Sequence, residues 1–200
     1  MGIELTPEYA EEAVKVYRNS YPEIVHFWWD LQDALVSVIE KNSVVEMGYI
    51  TLRMRGKVLC VTLPSGRDLH YVNPMVTYED RVSKKGRKYK ASIITCDGID
   101  QITRQWQRID TRGPKVFENV VQAICRDVLG CGMIEAEKIG FDIVLHCHDE
   151  IVAEVDEDSP LTEHDLVKAM VKEIRWAPNF ILGAEGFESP YYAKEKPKIG

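Results

Sequence analysis

Residues 146–150 read His-Cys-His-Asp-Glu and lie between two short apolar stretches, residues 141–145 and 151–155. Both stretches are rich in Val and Ile, a composition typical of short, largely buried strands, so the pattern predicts a β-hairpin with charged residues at its tip. Two adjacent carboxylates at a chain reversal must face solvent, a cation or each other, because burying them unpaired costs too much free energy. A site that holds a divalent metal ion for phosphate chemistry needs such a pair.

The composition is that of a soluble globular protein: 200 residues, 45% apolar and 28% charged, with enough chain to bury a core. No apolar stretch approaches the roughly 18–20 residues that a membrane-spanning helix needs. The N-terminus lacks the features of a signal peptide. The five cysteines are odd in number and form no CxxC pair, which predicts free thiols in the cytosol.

The net charge of −7 argues against a simple basic nucleic-acid-binding module. Residues 81–90 are nevertheless strongly basic, and Arg104, Arg108, Arg112 and Lys115 follow them. Phosphate contacts act only within about 8–10 Å at physiological salt, so the local charge decides whether a polyanion binds. The overall acidity therefore does not exclude a nucleic-acid partner.

Along the first half of the chain, the sequence pattern changes from one typical of helices to one typical of strands. Residues 1–42 carry two helical patterns, opened by Pro7 and Pro22. Residues 43–100 alternate apolar and polar side chains between turn signals, which predicts a meander of antiparallel strands. Within this meander we expect the basic residues 81–90 to form a loop.

Residues 101–200 combine a long helix, the hairpin and a further helix. The long helix is predicted from Pro114 to about Lys138. Its apolar stripe consists of Phe117, Val121, Ile124, Val128 and Cys131. A capping box at Thr162 predicts the further helix, and residues 181–187 are predicted as a final strand.

Residues 140–155 (GFDIVLHCHDEIVAEV) closely resemble motif C of the family A (Pol I-like) DNA polymerases, whose core is His-Asp-Glu on a hairpin of the palm. Residues 112–127 (RGPKVFENVVQAICRD) resemble the palm helix that precedes motif C in phage members. Shorter segments that match the family's general pattern are residues 17–24, 63–71 and 182–187. The resemblance covers nearly the whole chain in collinear order, so it is much more specific than His-Asp-Glu alone.

The resemblance implies an α+β fold: a partial polymerase palm, with an antiparallel sheet that carries the motif C hairpin and is backed by helices. Residues 1–42 would be helices at the base of the fingers domain. The implied function is the C-terminal palm portion of a DNA-directed DNA polymerase, a nucleotidyltransferase. Its partners would be primer-template DNA and dNTPs, its cofactor Mg²⁺, and its location the cytosol of a bacterium or a phage-infected host.

Two family motifs are not recognisable in the chain: motif A, with the other catalytic aspartate, and motif B, which holds the incoming nucleotide. We therefore expect a carboxylate outside this chain to complete the two-metal site. The chain would be a piece of a larger or split enzyme that needs the segment carrying motifs A and B. Alone, it is expected to be inactive and to self-associate.

The resemblance assigns the hairpin residues. Asp149 matches the motif C aspartate that binds the catalytic metal ions, and its alternative is a solvated turn residue. Glu150 matches a secondary ligand. Successive strand residues point to opposite faces, so Asp149 and Glu150 are not both expected to bind the metal directly. His148 matches a histidine beside the primer terminus, and its alternative is a core imidazole.

The long helix and the basic segment supply the predicted DNA contacts. Gln122 matches a glutamine that donates to the minor groove near the primer end, and its alternative is a solvated helix face. Glu118 stands where many family members carry asparagine, so the neighbouring Asn119 is the candidate. The other DNA-binding candidates are Arg108, Arg112, Lys115, Arg126, Lys84, Lys85, Arg87 and Lys88.

Two other classes of function are compatible with the residues. A metal-dependent hydrolase or nuclease would use His146, His148 and Asp149, and would bind Zn²⁺ or Mn²⁺ stoichiometrically. A non-catalytic interaction subunit would dock a larger partner through an exposed apolar face.

Overall fold

The computed structural model describes residues 6–83 and 86–193, which form an α+β fold of two compact units, Met1–Val120 and Val121–Gly200. The first unit contains helices α1 (Pro7–Ser20) and α2 (Pro22–Lys41) and strands β1 (Val45–Met47), β2 (Ile50–Arg55), β3 (Val58–Thr62), β4 (Asp68–Val82), β5 (Lys88–Ile99) and β6 (Trp106–Thr111). Helix α3 (Gly113–Lys138) begins in the first unit and ends in the second. The second unit also contains β7 (Asp142–Cys147), β8 (Glu150–Glu154) and α4 (Glu163–Met170).

The two N-terminal helices start where the sequence predicts. The Thr6 hydroxyl accepts a hydrogen bond from the Tyr9 backbone N–H at 3.3 Å, and a proline opens each helix. Helix α2 ends at Asn42, whose φ of 53° is left-handed. Helix α1 has no buried residue, whereas α2 buries Leu31, Leu35 and Val38.

Strands β1 to β6 form one antiparallel sheet in which each strand pairs with its neighbour in sequence. Helix α2 packs against this sheet. The inward side chains of the central strands, among them Leu52, Leu59, Val61 and Ile94, are almost completely buried. The predicted meander is therefore confirmed, and β6 extends it by a strand that the sequence did not reveal.

The predicted loop over residues 81–90 was wrong at both ends. Strands β4 and β5 pair as far as Val82↔Lys88, and the turn between them is closed by a hydrogen bond from the Ser83 N–H to the Arg87 carbonyl at 2.9 Å. Lys84 and Lys85 lie outside the described residues. The prediction failed because both faces of this hairpin are exposed, so the sequence has no alternation of buried apolar and exposed polar residues to mark the strands.

The start of α3 is joined to α2 and β5 by the buried side chain of Gln32. Its carbonyl oxygen accepts from the Gly113 N–H at 2.7 Å, and its amide donates to the Ser92 hydroxyl at 3.0 Å. Gly113 lies so close to α2 that an added Cβ would be 2.1 Å from the Trp28 carbonyl oxygen. Glycine is therefore required at this contact.

The predicted bounds of α3 are confirmed, but its buried positions lie beside the predicted stripe, before it in the first half of the helix and after it in the second. Val121 is 43% exposed. The buried positions are Gly113, Val116, Val120, Leu129, Gly132 and Ala136. Because α3 has apolar residues on several sides, spacing alone did not identify the buried face.

In the second unit, the core consists of Leu129, Ala136, Phe141, Ile151 and Ala169. The predicted capping box of α4 is present: the Asp165 carboxylate accepts from the Thr162 N–H at 3.2 Å. The predicted strand at residues 181–187 was wrong, since no strand is assigned there and Ile181 is 94% exposed. None of the helices in the described ranges is long and apolar enough to cross a membrane.

Candidate functional site

The predicted hairpin is confirmed: β7 pairs antiparallel with β8 as far as Cys147↔Glu150, so His148 and Asp149 form a two-residue turn. His148 has a φ of 53°, a left-handed conformation that two-residue hairpin turns favour at their first position. The chain reverses at these residues, which places Asp149 at the tip of the hairpin.

The hairpin forms a two-stranded sheet of its own, separate from the six-stranded sheet. The prediction of one sheet that carries the hairpin is therefore wrong for the described residues. The prediction of two largely buried strands is also wrong for β7, where Val144 and Leu145 are 49% and 46% exposed. A bulge between Ile143 and Leu145 interrupts the alternation of β7, whereas Ile151 of β8 is buried.

The three predicted tip residues, His148, Asp149 and Glu150, are all exposed. His148 is therefore not a core imidazole. Within the described ranges, neither carboxylate forms a hydrogen bond or ion pair with another residue. Both can approach a hard cation such as Mg²⁺, which prefers carboxylate oxygens, water and phosphate oxygens as ligands. Asp149 and Glu150 can provide only some of the ligands that Mg²⁺ needs, so other groups must provide the rest.

The structure does not support the alternative metal site at His146, His148 and Asp149. Their ligand atoms do not form a cluster of metal-binding dimensions. In the described part of the chain, such a cluster is formed instead by Cys60, Asp68 and His70, whose ligand atoms lie within 4.8 Å of one another. These three types of donor atom suit Zn²⁺.

The partners of Asp68 argue against a metal ion in that cluster. The Thr62 hydroxyl donates to its carboxylate, and the Arg55 and Arg53 guanidinium groups lie 2.9 Å and 3.5 Å from it. These contacts already neutralise the carboxylate, and two cationic groups would repel a divalent cation. The cluster is therefore an ion-pair network that joins β2, β3 and β4.

The same contacts predict a dependence of stability on pH. The hydrogen bond from Thr62, followed by the Arg55 and Arg53 charges, lowers the pKa of Asp68, while burial opposes this shift. Its contribution to stability is present above the unfolded pKa of about 3.9 and is lost as the pH falls through the lower folded pKa. Urea unfolding between about pH 2 and pH 6, two units on either side of the ordinary Asp pKa, should show this loss in the wild type and a flatter curve for Asp68→Asn. The exposed Asp33→Asn is the control, and a wild-type slope in Asp68→Asn would contradict the assignment.

Arg108, a predicted DNA contact, is already bonded within the sheet. Its guanidinium donates to the Thr95 hydroxyl at 2.8 Å, the Asn73 carbonyl at 2.6 Å and Asp97 Oδ1 at 3.0 Å. Asn73 has a φ of 46° and lies where the β4–β5 register shifts. Hydrogen bonds from Asn73 and Arg108 lower the pKa of Asp97. Arg108 therefore holds this irregularity in β4 and has few donors left for phosphate.

Two predicted contacts on α3 are also engaged. The Asn119 amide donates to the Tyr71 hydroxyl at 2.9 Å, and burial raises the pKa of that phenol. Lys115 forms an exposed ion pair with Glu118 at 3.2 Å. No local pattern indicates the Asn119–Tyr71 bond, because its partners are 48 residues apart in the sequence.

The remaining candidates on or beside α3 are exposed. They are Arg112, Gln122 and Arg126. Arg126 contacts the Met133 sulfur at 3.9 Å. Arg87 and Lys88, at the end of the β4–β5 turn, are exposed as well.

No model of a protein family matches the chain, and no solved structure matches it significantly. Among curated proteins, the DNA polymerase of Bacillus phage SP02 is 33% identical over 186 residues. This chain is related to a segment of a phage DNA polymerase. The match covers 92% of this chain and 27% of that polymerase, so the chain spans about a quarter of its relative. The predicted relation to a phage DNA polymerase is confirmed, while family A, motif C and the palm remain predictions.

Proposed function

We propose that this chain supplies the motif C metal ligand of a family A DNA-directed DNA polymerase and forms part of its palm. The observation that carries the proposal is the exposed Asp149 at the tip of a two-residue hairpin turn, in a chain similar over 92% of its length to a phage DNA polymerase. The reaction would be nucleotidyl transfer from a dNTP to a primer paired with its template.

Asp149 and Glu150 would hold Mg²⁺. When bound, a pair of such ions supplies the charge stabilisation that in-line phosphoryl displacement needs. Asp149 offers its carboxylate from the turn itself, and the next residue, Glu150, begins β8 and serves as the secondary ligand. His148, fixed in its left-handed conformation, would lie beside the primer terminus.

One aspartate does not make a two-metal site. We infer that a carboxylate outside these residues, on the segment that carries motifs A and B, completes the metal pair. Purified chain with dNTPs, Mg²⁺ and primed template should therefore give no extension product. A product in that assay would contradict this part of the proposal.

The metal ligand can be tested in the chain itself with Mn²⁺ as a paramagnetic substitute for Mg²⁺. Mn²⁺ should broaden the backbone amide NMR signals of residues 148–150, and Asp149→Asn should remove the effect. Asp142→Asn changes another exposed carboxylate, at the start of β7, and should leave the broadening unchanged. Equal broadening in Asp149→Asn, or broadening centred on Cys60, would contradict the assignment.

A further inference from the structure

We propose that the described outer part of the β4–β5 hairpin, residues 79–83 and 86–91, is a binding site for the backbone of double-stranded DNA. We call these residues the arm. The inference rests on the proposed function only for the choice of DNA as the polyanion. It concerns a surface that is separate from Asp149 in the sequence, and its test does not require catalysis.

The arm is a ribbon of two strands without strand neighbours. Strand β3 pairs with β4 only from Asp68 to Val72, and β6 pairs with β5 only from Ile94 to Ile99. The β4–β5 pairing continues beyond these limits without a break from Met75↔Thr95 to Val82↔Lys88. Within the described ranges, both edges of the arm are therefore unpaired.

Both faces of the arm are exposed as well. On β4 every residue from Thr77 to Val82 is exposed, and on β5 so is every residue from Lys88 to Lys90. The Tyr78 hydroxyl donates to Glu40 of α2 at 2.8 Å, which ties the base of the arm to the helix. An exposed two-stranded ribbon gains little stability from burial, so packing does not explain its length.

The arm concentrates positive charge in an acidic protein. Its described residues include four basic and two acidic ones, a formal charge of +2 in a chain of −7. Arg81 pairs with Glu79 at 3.1 Å, but both side chains are more than half exposed, so this pair contributes little stability. In the described ranges, the Arg87, Lys88 and Lys90 side chains have no hydrogen-bond or ion-pair partner.

The shape and charge of the arm favour duplex DNA over single-stranded DNA. A two-stranded β-ribbon fits the major groove of B-DNA, which is about 12 Å wide. Lys88 and Lys90 point to one face of the ribbon and Arg81 to the other, because alternate strand residues share a face. The two lysines on one face of the ribbon suit contact with the phosphates along one side of the groove. Single-stranded DNA is usually held by several stacked aromatic rings, and Tyr89 is the arm's aromatic residue.

The test compares two charge-matched double variants of the full chain. Lys88→Gln with Lys90→Gln removes two positive charges from the arm. Lys15→Gln with Lys57→Gln removes two from exposed positions elsewhere in the first unit. Circular dichroism checks that all proteins fold, and fluorescence anisotropy measures binding to a short duplex between about 50 and 200 mM NaCl.

The arm variant should bind duplex DNA more weakly, and the slope of log K against log[salt] should fall by about 0.9 for each phosphate that the protein no longer neutralises. The control variant should bind like the wild type. Three results would overturn the inference. Both lysine pairs could weaken binding equally, the wild type could show no measurable binding, or the effect of the arm variant could be confined to single-stranded DNA. Failure of Asp149→Asn to remove the Mn²⁺ effect, with the arm effect intact, would count against the proposed function alone.

Discussion

Asp149→Asn is expected to lower the rate of primer extension by at least about a hundredfold, the size of effect that follows the loss of one fixed electrostatic group in an active site. The amide keeps the size of the side chain but removes the negative charge that Mg²⁺ selects. A suitable active enzyme is the Bacillus phage SP02 polymerase with its matching segment replaced by this chain. Single-turnover extension of a bound primer-template measures the rate.

Three controls sharpen this experiment. Glu150→Gln should have a smaller effect than Asp149→Asn, because its side chain points to the other face at the strand end. Asp142→Asn should keep the full rate, and binding of primer-template should be unchanged by all three substitutions. Two results would contradict the proposed role. One is an extension rate for Asp149→Asn within a few fold of the unsubstituted chimeric enzyme, and the other is a chimeric enzyme that is inactive although Asp149 is intact.

Gly113→Ala is expected to destabilise the first unit by about 3 kcal/mol or more, the combined scale of overpacking and of a buried N–H that loses its partner. The new Cβ would lie 2.1 Å from the Trp28 carbonyl oxygen and 2.9 Å from the Gln32 nitrogen, both backbone atoms of α2. Backbone of a packed helix cannot move aside as a side chain can. The shift would also disturb the bond between the Gly113 N–H and Gln32.

Gly130→Ala is a matched control on the same helix, since its added Cβ would have no atom within 4 Å. It should be neutral or stabilise the protein by up to about 1 kcal/mol, because alanine is the better helix former. Urea unfolding followed by tryptophan fluorescence compares the two variants. Similar unfolding free energies for both would show that the α2–α3 contact can relax around an added methyl group.

The elements that sequence predicted correctly are those with local signals. Two kinds of residue mark the helix starts: Thr6 accepts a hydrogen bond from a backbone N–H, and Pro7 and Pro22 have no N–H to satisfy. Both effects depend only on nearby residues. The hairpin tip at Asp149 was predictable for the same reason, because charged residues interrupt two β-forming stretches. Its proposed chemistry came from the resemblance and not from the spacing.

The features that sequence missed depend on distant partners. Arg108 and Asn119 look like free polar residues in sequence, but their partners Asn73 and Tyr71 are 35 and 48 residues away. The difference between the predicted and the buried face of α3 has a similar origin, since tertiary contacts determine which of several apolar faces is buried. The arm was predicted as a loop because an exposed ribbon needs no buried side.

The order of strands in the six-stranded sheet has a consequence for synthesis. Each strand is adjacent to the one made just before it, so every pairing closes a short loop and loses little chain entropy. Sheets with such local contacts form faster than those that join distant strands. The sheet can therefore be assembled strand by strand as the chain leaves the ribosome. The bond between the Gly113 N–H and Gln32 joins residues 81 positions apart, so it can form only after all six strands have been made.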